Sequence, residues 1–255
     1  MQFAGPHSAL ARGLRGLRWC VLIVCLGIAS LFAGWHALAA GNFGYALWYD
    51  LLDIEQTIAT YGPVNEIRPG FEETERAERE RLFAAIVDAI HDDGDGLGTL
   101  VYHDPAGEPL GHLLTDDEIV HLEDVAHLIN TFTLVNWVAV AACLLLAGAA
   151  LLRGEPPPSG KRVAVTMAGI LFGGGAIVWL AGPVRVFYWL HEVLFPPEHE
   201  WFFYYEESLM AQMMQAPNLF GPIAVSWVGF ALAIGFALWV AFTGLLRRRV
   251  AHARS

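Results

Sequence analysis

The sequence predicts an all-α membrane protein, with four transmembrane helices and a small α+β extracytoplasmic cap. Three observations carry that class. Four segments of roughly 20 mainly apolar residues each have the length needed to cross a bilayer. Only 16% of the 255 residues are charged and 55% are hydrophobic, whereas an ordinary soluble domain carries about 25% charge. The charges that remain are sorted by sign across those four segments.

Residues 1–18 read as a cytoplasmic N-terminus carrying Arg12, Arg15 and Arg18. The first span runs from Trp19 to Ala40. Its "HALAAGNF" end contains an A-x-A pattern that suggests signal-peptide cleavage after Ala39, but the preceding apolar stretch exceeds a typical h-region. The expectation is a retained span. Residues 41–132 form the extracytoplasmic cap, Thr133 to Leu152 the second span, and 153–162 a cytoplasmic turn with Arg153, Lys161 and Arg162. Val163 to Val184 is the third span and 185–221 an aromatic extracytoplasmic loop. Pro222 to Leu246 is the fourth span, and 247–255 a cytoplasmic tail with Arg247, Arg248, Arg249 and Arg254.

Ten of the 15 Lys and Arg thus fall on one side, with Arg68, Arg76, Arg79, Arg81 and Arg185 on the other. Excess Lys and Arg mark the cytoplasmic face, so both termini are expected to be cytoplasmic. Of the 26 acids only Glu155 lies on that inner side, leaving an outer balance near −20. Nucleic acid calls for a basic face and is excluded as a partner. The acidic exterior reads as a solvated surface, and a monomer in the lipid membrane is expected.

Within the cap, "ALWYDLLDIEQTIATY" mixes aromatic residues with acids, as expected of a helix near the interface. "EETERAERERLFAAIVDAI" places Leu82, Phe83, Ile86, Val87 and Ile90 at helical spacing. "HDDGDG" ends that helix with turn residues. "LGTLVYHDPAGEPLGHLL" reads as two short strands around Asp104–Gly107. Thr115 and Glu118 then form a capping box, and the helix they open runs without Pro or Gly into the second span. In the third span, Gly169 and Gly173 form a G-x-x-x-G that permits close helix packing. The aromatic residues of 185–221 read mostly as interfacial anchors.

Cys20, Cys25 and Cys143 all lie in spans, so cap folding does not depend on disulfides and no Cys-x-x-Cys site exists. A calcium reading of "HDDGDG" puts His91 in the first position and Tyr102 where a bidentate Glu belongs. His121 and His127 are about 120° apart on a helix and cannot share one ion. Glu118, His121 and Asp124 do share a face, which leaves zinc open as a minority reading. No metal or cofactor is expected. There is no G-x-S-x-G, and Ser208 is the sole serine outside the spans and the cytoplasmic segments, so a serine hydrolase is poorly supported. What remains is a pair of histidines near one membrane surface: His121 before the second span and His191 after the third. Glu118 and Asp124, one turn from His121, could fix its tautomer or raise its pKa.

The pattern Glu118-x-x-His121-x-x-Asp124-Val125 resembles the signature of the bacterial lipoprotein intramolecular transacylases, the Lit family. The family's second motif is matched by His191-Glu-Val-Leu-Phe195, Trp201, Glu207-Ser-Leu-Met210, Pro217 and Phe220. This chain departs from it at Leu190, Glu207 and Met210, and "EHEW" replaces Gly-Asn-Trp. The resemblance implies transfer of an acyl chain from the diacylglyceryl group of a lipoprotein to the α-amine of its N-terminal cysteine. It implies diacylglyceryl-modified lipoproteins as partners. On that reading His121 is the base and His191 its partner; Glu118 and Asp124 orient them, and Arg185 lends electrostatic support. The competing reading is a non-enzymatic sensor or assembly factor whose acidic cap binds partners or divalent ions.

The charge asymmetry generates a topological prediction. Single cysteines at Asp104 and Ser159 should label from opposite sides, the former from outside only. Labelling of both from one side would contradict the four-span reading.

Overall fold

Four helices in the computed structural model are long and apolar enough to cross a membrane: Gly13–Ala39, Asp116–Arg153, Gly160–Ala181 and Phe220–Arg249. The structure describes residues 6–252. Arg254 and the side chain of Arg12, both counted above, lie outside the described residues. The elements are α1 (Pro6–Ala39), α2 (Tyr45–Leu51), α3 (Ile54–Tyr61), α4 (Arg76–His91), β1 (Val101–His103) and β2 (Pro109–His112). They continue with α5 (Asp116–Arg153), α6 (Gly160–Ala181), α7 (Pro183–Leu194), α8 (Leu209–Met214) and α9 (Phe220–His252). The chain divides into two compact units. One holds residues up to 36, 133–177 and from 227 onward; the other holds 37–132 and 178–226.

The first unit is built from apolar helix stretches. Trp19 and Leu22 of α1 pack with Ala150 of α5 and Leu246 of α9. Helices α1 and α9 approach most closely at small residues. A Cβ on Gly34 would meet the Ala231 backbone nitrogen at 3.1 Å, and one on Gly235 would meet Ser30 Oγ at 3.0 Å. Trp227 Nε1 donates to the Leu31 carbonyl at 2.6 Å. The close packing expected at Gly169 and Gly173 is not there. A Cβ at either would meet nothing within 4 Å, and α6 buries none of its residues. Small residues permit close approach but do not supply the neighbour.

The second unit folds around Tyr45, Ile54, Ile58, Phe71, Leu82, Ile86, Leu97, Tyr102, Leu113, Leu209 and Met213, all at or below 2% exposure. Two helices replace the one expected at 46–61. Asp53 sits in the left-handed region at φ 53 and separates α2 from α3, a conformation Asp tolerates better than most residues. The break turns Tyr45 and Tyr49 of α2 and Ile54 and Ile58 of α3 inward. Helix α4 starts at Arg76 rather than Glu72, because Thr74 and Glu75 are extended. The hairpin pairs Val101 with His112 and Tyr102 with Gly111, and Asp104 Oδ1 accepts from the Ala106 and Glu108 amides across its turn. "HDDGDG" is a helix-ending turn with Asp93, Gly94 and Gly96 at positive φ.

A buried arginine explains the delayed start of α4. Arg79 is 1% exposed and spends its donors on four partners. Nε donates to Thr74 Oγ1 at 2.9 Å, one terminal nitrogen to Tyr49 and Glu55 at 2.7 Å each, and the other to the Glu72 carbonyl at 3.0 Å. Tyr49 in turn donates to Glu55, and burial followed by that carboxylate pushes the phenol up to about 12. The guanidinium fork therefore pins the 72–74 backbone beside α2 and α3. Arg79→Leu leaves the Thr74, Tyr49 and Glu72 oxygens short of a donor inside the unit. It should lower unfolding stability of the full chain in detergent by about 3 kcal/mol. Arg79→Lys should recover only part, since an ammonium cannot reproduce the fork. A wild-type denaturation midpoint for Arg79→Leu would contradict this role.

Candidate active site

Helix α5 begins with the capping box. The Glu118 amide donates to Thr115 Oγ1 at 3.1 Å, and the Thr115 amide donates to Glu118 Oε2 at 2.6 Å. Capping of this kind satisfies two of the amides that a helix start leaves orphaned. The helix then continues unbroken from Asp116 to Arg153, as its sequence predicts. One turn after Glu118 stands His121, 9% exposed, with Nδ1 buried and without a hydrogen-bond partner among the described residues.

His191 arrives from another direction. The third apolar helix stops at Ala181, Gly182 adopts φ 91, and Pro183 takes the first position of α7. Proline there has no amide to lose and its fixed φ suits the helix. On α7, His191 Nδ1 lies 2.8 Å from the Phe187 carbonyl one turn back. A carbonyl oxygen only accepts, so Nδ1 carries the proton and Nε2 of the neutral ring keeps its lone pair. Burial pushes the His191 imidazole below its ordinary value, with the Phe187 carbonyl opposing. The ring is therefore neutral at neutral pH, the state a proton acceptor needs.

The structure brings the two histidines together. Their ring centroids are 5.9 Å apart and their planes differ by 30°. Aromatic rings surround them. Phe195 stands 4.9 Å from His121 and 5.2 Å from His191. Phe187 and Trp201 stand 4.2 and 4.9 Å from His191, and Phe203 lies 6.0 Å from His121. These residues were expected mainly as interfacial anchors. Four of them instead wall the histidine pair.

The other site candidates fall elsewhere. Glu118 does not orient His121 by a hydrogen bond; fully buried, its second oxygen accepts a short bond from Ser208 Oγ. Asp124 Oδ2 lies 2.7 Å from Nδ1 of His199, not from His121. Both acids of the Glu118, His121, Asp124 face are thus engaged with residues of the 195–208 segment. Arg185 is exposed on the first turn of α7 and forms no hydrogen bond or ion pair among the described residues. His127 is exposed and 3.7 Å from Asp93. Sequence reasoning missed Ser208 and His199. For Ser208 a signal existed, since a serine ahead of the apolar run Leu209–Met210–Ala211 reads as an N-cap. Ser208 Oγ does accept from the Ala211 amide at 2.8 Å. For His199 there was none, because Asp124 is 75 residues away.

Residues 100–218, which include both histidines, match the family model of the lipoprotein intramolecular transacylase Lit. The likeness read from the Glu118-x-x-His121 and His191 motifs is borne out. No curated protein matches the chain. Among solved structures, the membrane integral lipoprotein intramolecular transacylase Lit from Bacillus cereus is similar in three crystal forms or variants. A variant with a histidine-to-arginine substitution superposes with a TM-score of 0.68 at 14% identity, covering 96% of this chain and 98% of that one. A histidine-to-alanine variant gives 0.66 at 14% identity over 94% and 97%. At that identity the likeness establishes the fold.

The Ser208 contacts generate a stability prediction. Ser208→Ala removes the α8 cap and one donor to a buried carboxylate, so it should cost about 1–3 kcal/mol. Thermal unfolding of the full chain in detergent checks this. An unchanged midpoint would contradict the tie.

Proposed function

We propose that this chain is an O-to-N transacylase of a bacterial inner membrane, with both termini cytoplasmic and residues 41–132 outside. Its substrate is a lipoprotein whose N-terminal cysteine carries a diacylglyceryl group, and its product is the N-acyl lyso form. The observation that carries the reading is the His121–His191 pair in an aromatic pocket, inside the segment that matches the Lit model. The competing sensor or assembly-factor reading gives no reason for two imidazoles 5.9 Å apart, one with a fixed tautomer.

The reaction needs no nucleophile from the protein, because the substrate supplies its own amine. The neutral α-amine nitrogen attacks the ester carbonyl carbon, forming the C–N bond and an oxyanion. His191 Nε2, the lone pair assured by the Phe187 bond, takes the proton that the nitrogen sheds. Collapse of the intermediate breaks the bond to the glyceryl oxygen, and the imidazolium returns the proton to that oxygen. The products are an amide and a free glyceryl hydroxyl, so atoms and charge balance. His121 serves as hydrogen-bond donor to the oxyanion. In its Nε2–H tautomer it presents that donor. This exchanges the two roles assigned from the sequence. The aromatic walls lower the polarity around the pair, which strengthens that hydrogen bond.

The test is mass spectrometry of a reporter lipoprotein's N-terminal peptide, with fragment ions locating the acyl chain on nitrogen or glycerol. Removing a general base costs about 10²–10⁴-fold, and removing one oxyanion donor about 10²–10³-fold. His191→Ala, His191→Gln and His121→Ala should therefore reduce N-acyl product to background. His121→Gln retains a donor and should keep measurable conversion, and His127→Ala should match wild type. Conversion by His191→Gln above that by His121→Gln would reverse the role assignment. Absence of N-acyl product from the wild type with every reporter would overturn the transacylase reading.

A further inference from the structure

We propose that His199 is a positioning residue for this reaction: its hydrogen bond to Asp124 is one of two ties that hold residues 195–208 over the His121 face of α5. The proposal rests on the transacylase reading. Glu118, His121 and Asp124 follow at three-residue intervals, so they rise along one stripe of the helix with His121 in the middle. The residues on either side of His121 are both claimed by the same incoming segment. Glu118 is held by Ser208 and Asp124 by His199 at 2.7 Å. Between the two ties the segment carries Trp201, packed on His191, and Phe203, near His121. Just before them stands Phe195, the ring that touches both histidines.

A single tie leaves a segment free to pivot; a second fixes its bearing. Here the two anchors are nine residues apart in the segment and bracket two of the rings that wall the pocket, Trp201 and Phe203. Beyond α7 the chain leaves helical geometry at Phe195, with ψ 150, and Pro196–Pro197 deny the next turn two amide donors. The His199 amide bonds the Pro196 carbonyl at 3.1 Å, closing a short turn that presents the imidazole to Asp124. The His199 side chain is 35% exposed and that of Asp124 16%, so truncating His199 leaves no cavity in a core. No ring contact or hydrogen bond joins His199 to His121 or His191 among the described residues. It acts through the segment it anchors, not on the substrate.

Two readouts on the full chain in lipid nanodiscs test the proposal. The first is amide hydrogen exchange over 195–203, which reads the tie without reference to activity. The second is steady-state conversion of a synthetic diacylglyceryl-cysteinyl peptide. In His199→Ala, exchange across 195–203 should quicken and kcat should fall by about tenfold with KM nearly unchanged; misplacement by 1 Å can cost about 10²-fold. His199→Asn sets an amide N–H where Nδ1–H stood and should restore both readouts. Asp124→Ala combined with His199→Ala should be no worse than either alone, because both remove one interaction. Unchanged exchange in His199→Ala overturns the tie whatever the activity. Quickened exchange with wild-type kcat overturns the positioning role. Failure of His199→Asn to restore kcat while it restores exchange also overturns it, since His199 would then act by proton chemistry. Wild-type chain that yields no N-acyl product, with exchange still responding to His199→Ala, overturns the transacylase reading and leaves the tie standing.

Discussion

A carboxylate removed from water needs a donor on each oxygen, and Glu118 meets that need from two directions. The Thr115 amide serves one oxygen and the Ser208 hydroxyl the other. Because Glu118 has no exposed surface, neither partner can be replaced by solvent, and losing one leaves part of a charge buried without compensation. Both partners also stand at helix starts, Thr115 at that of α5 and Ser208 at that of α8, where orphan amides and the helix dipole favour negative charge. The Glu118–Ser208 bond therefore links the caps of two helices and joins segments 90 residues apart. His121, one turn beyond it, inherits a fixed position relative to residues 195–208.

That constraint accounts for a feature of the site that first looks unfavourable. A histidine walled by rings, with no acid bonded to it among the described residues, lacks the usual orienting carboxylate. Here the backbone does that work for His191 through Phe187, and the acids flanking His121 are engaged in holding the enclosure. An acid bonded to either imidazole would favour the protonated ring and so leave less of the neutral acceptor at neutral pH. On the proposed reading the site separates two tasks: carboxylates position, while imidazoles handle protons. Arg79 likewise uses its fork to fix irregular backbone.

What the sequence revealed follows the range of the interactions involved. The capping box at Thr115 and Glu118, the hairpin around Asp104, the turn at Asp93 and the unbroken α5 all rest on residues within a few positions of each other. Propensity and spacing report them directly. The order of the spans placed His121 and His191 near one membrane surface, and the family motifs added the reaction they would serve. The break at Asp53 was hidden because the residues on both sides favour helix, and the tertiary demand to bury Tyr45, Tyr49, Ile54 and Ile58 prevailed. Arg79, Ser208 and His199 work across 24, 90 and 75 residues, separations at which a sequence carries no periodic trace. The G-x-x-x-G of α6 failed for the converse reason. Its spacing was local, but the neighbour it needed was not.

On the proposed reading, paired imidazoles move an acyl chain between two atoms of the same substrate, with no acylated form of the protein. Single-turnover reaction of the purified chain with a diacylglyceryl-cysteinyl peptide whose ester acyl group is isotopically labelled distinguishes this from a covalent route. Quenched samples are read by intact protein mass and by peptide fragmentation. Direct transfer requires label to leave the glyceryl oxygen and appear on the peptide nitrogen at equal rates, with the protein mass unchanged at every time point. A labelled acyl group on the protein that forms before the N-acyl peptide and decays into it would instead show a covalent acyl-enzyme route and rule out direct transfer.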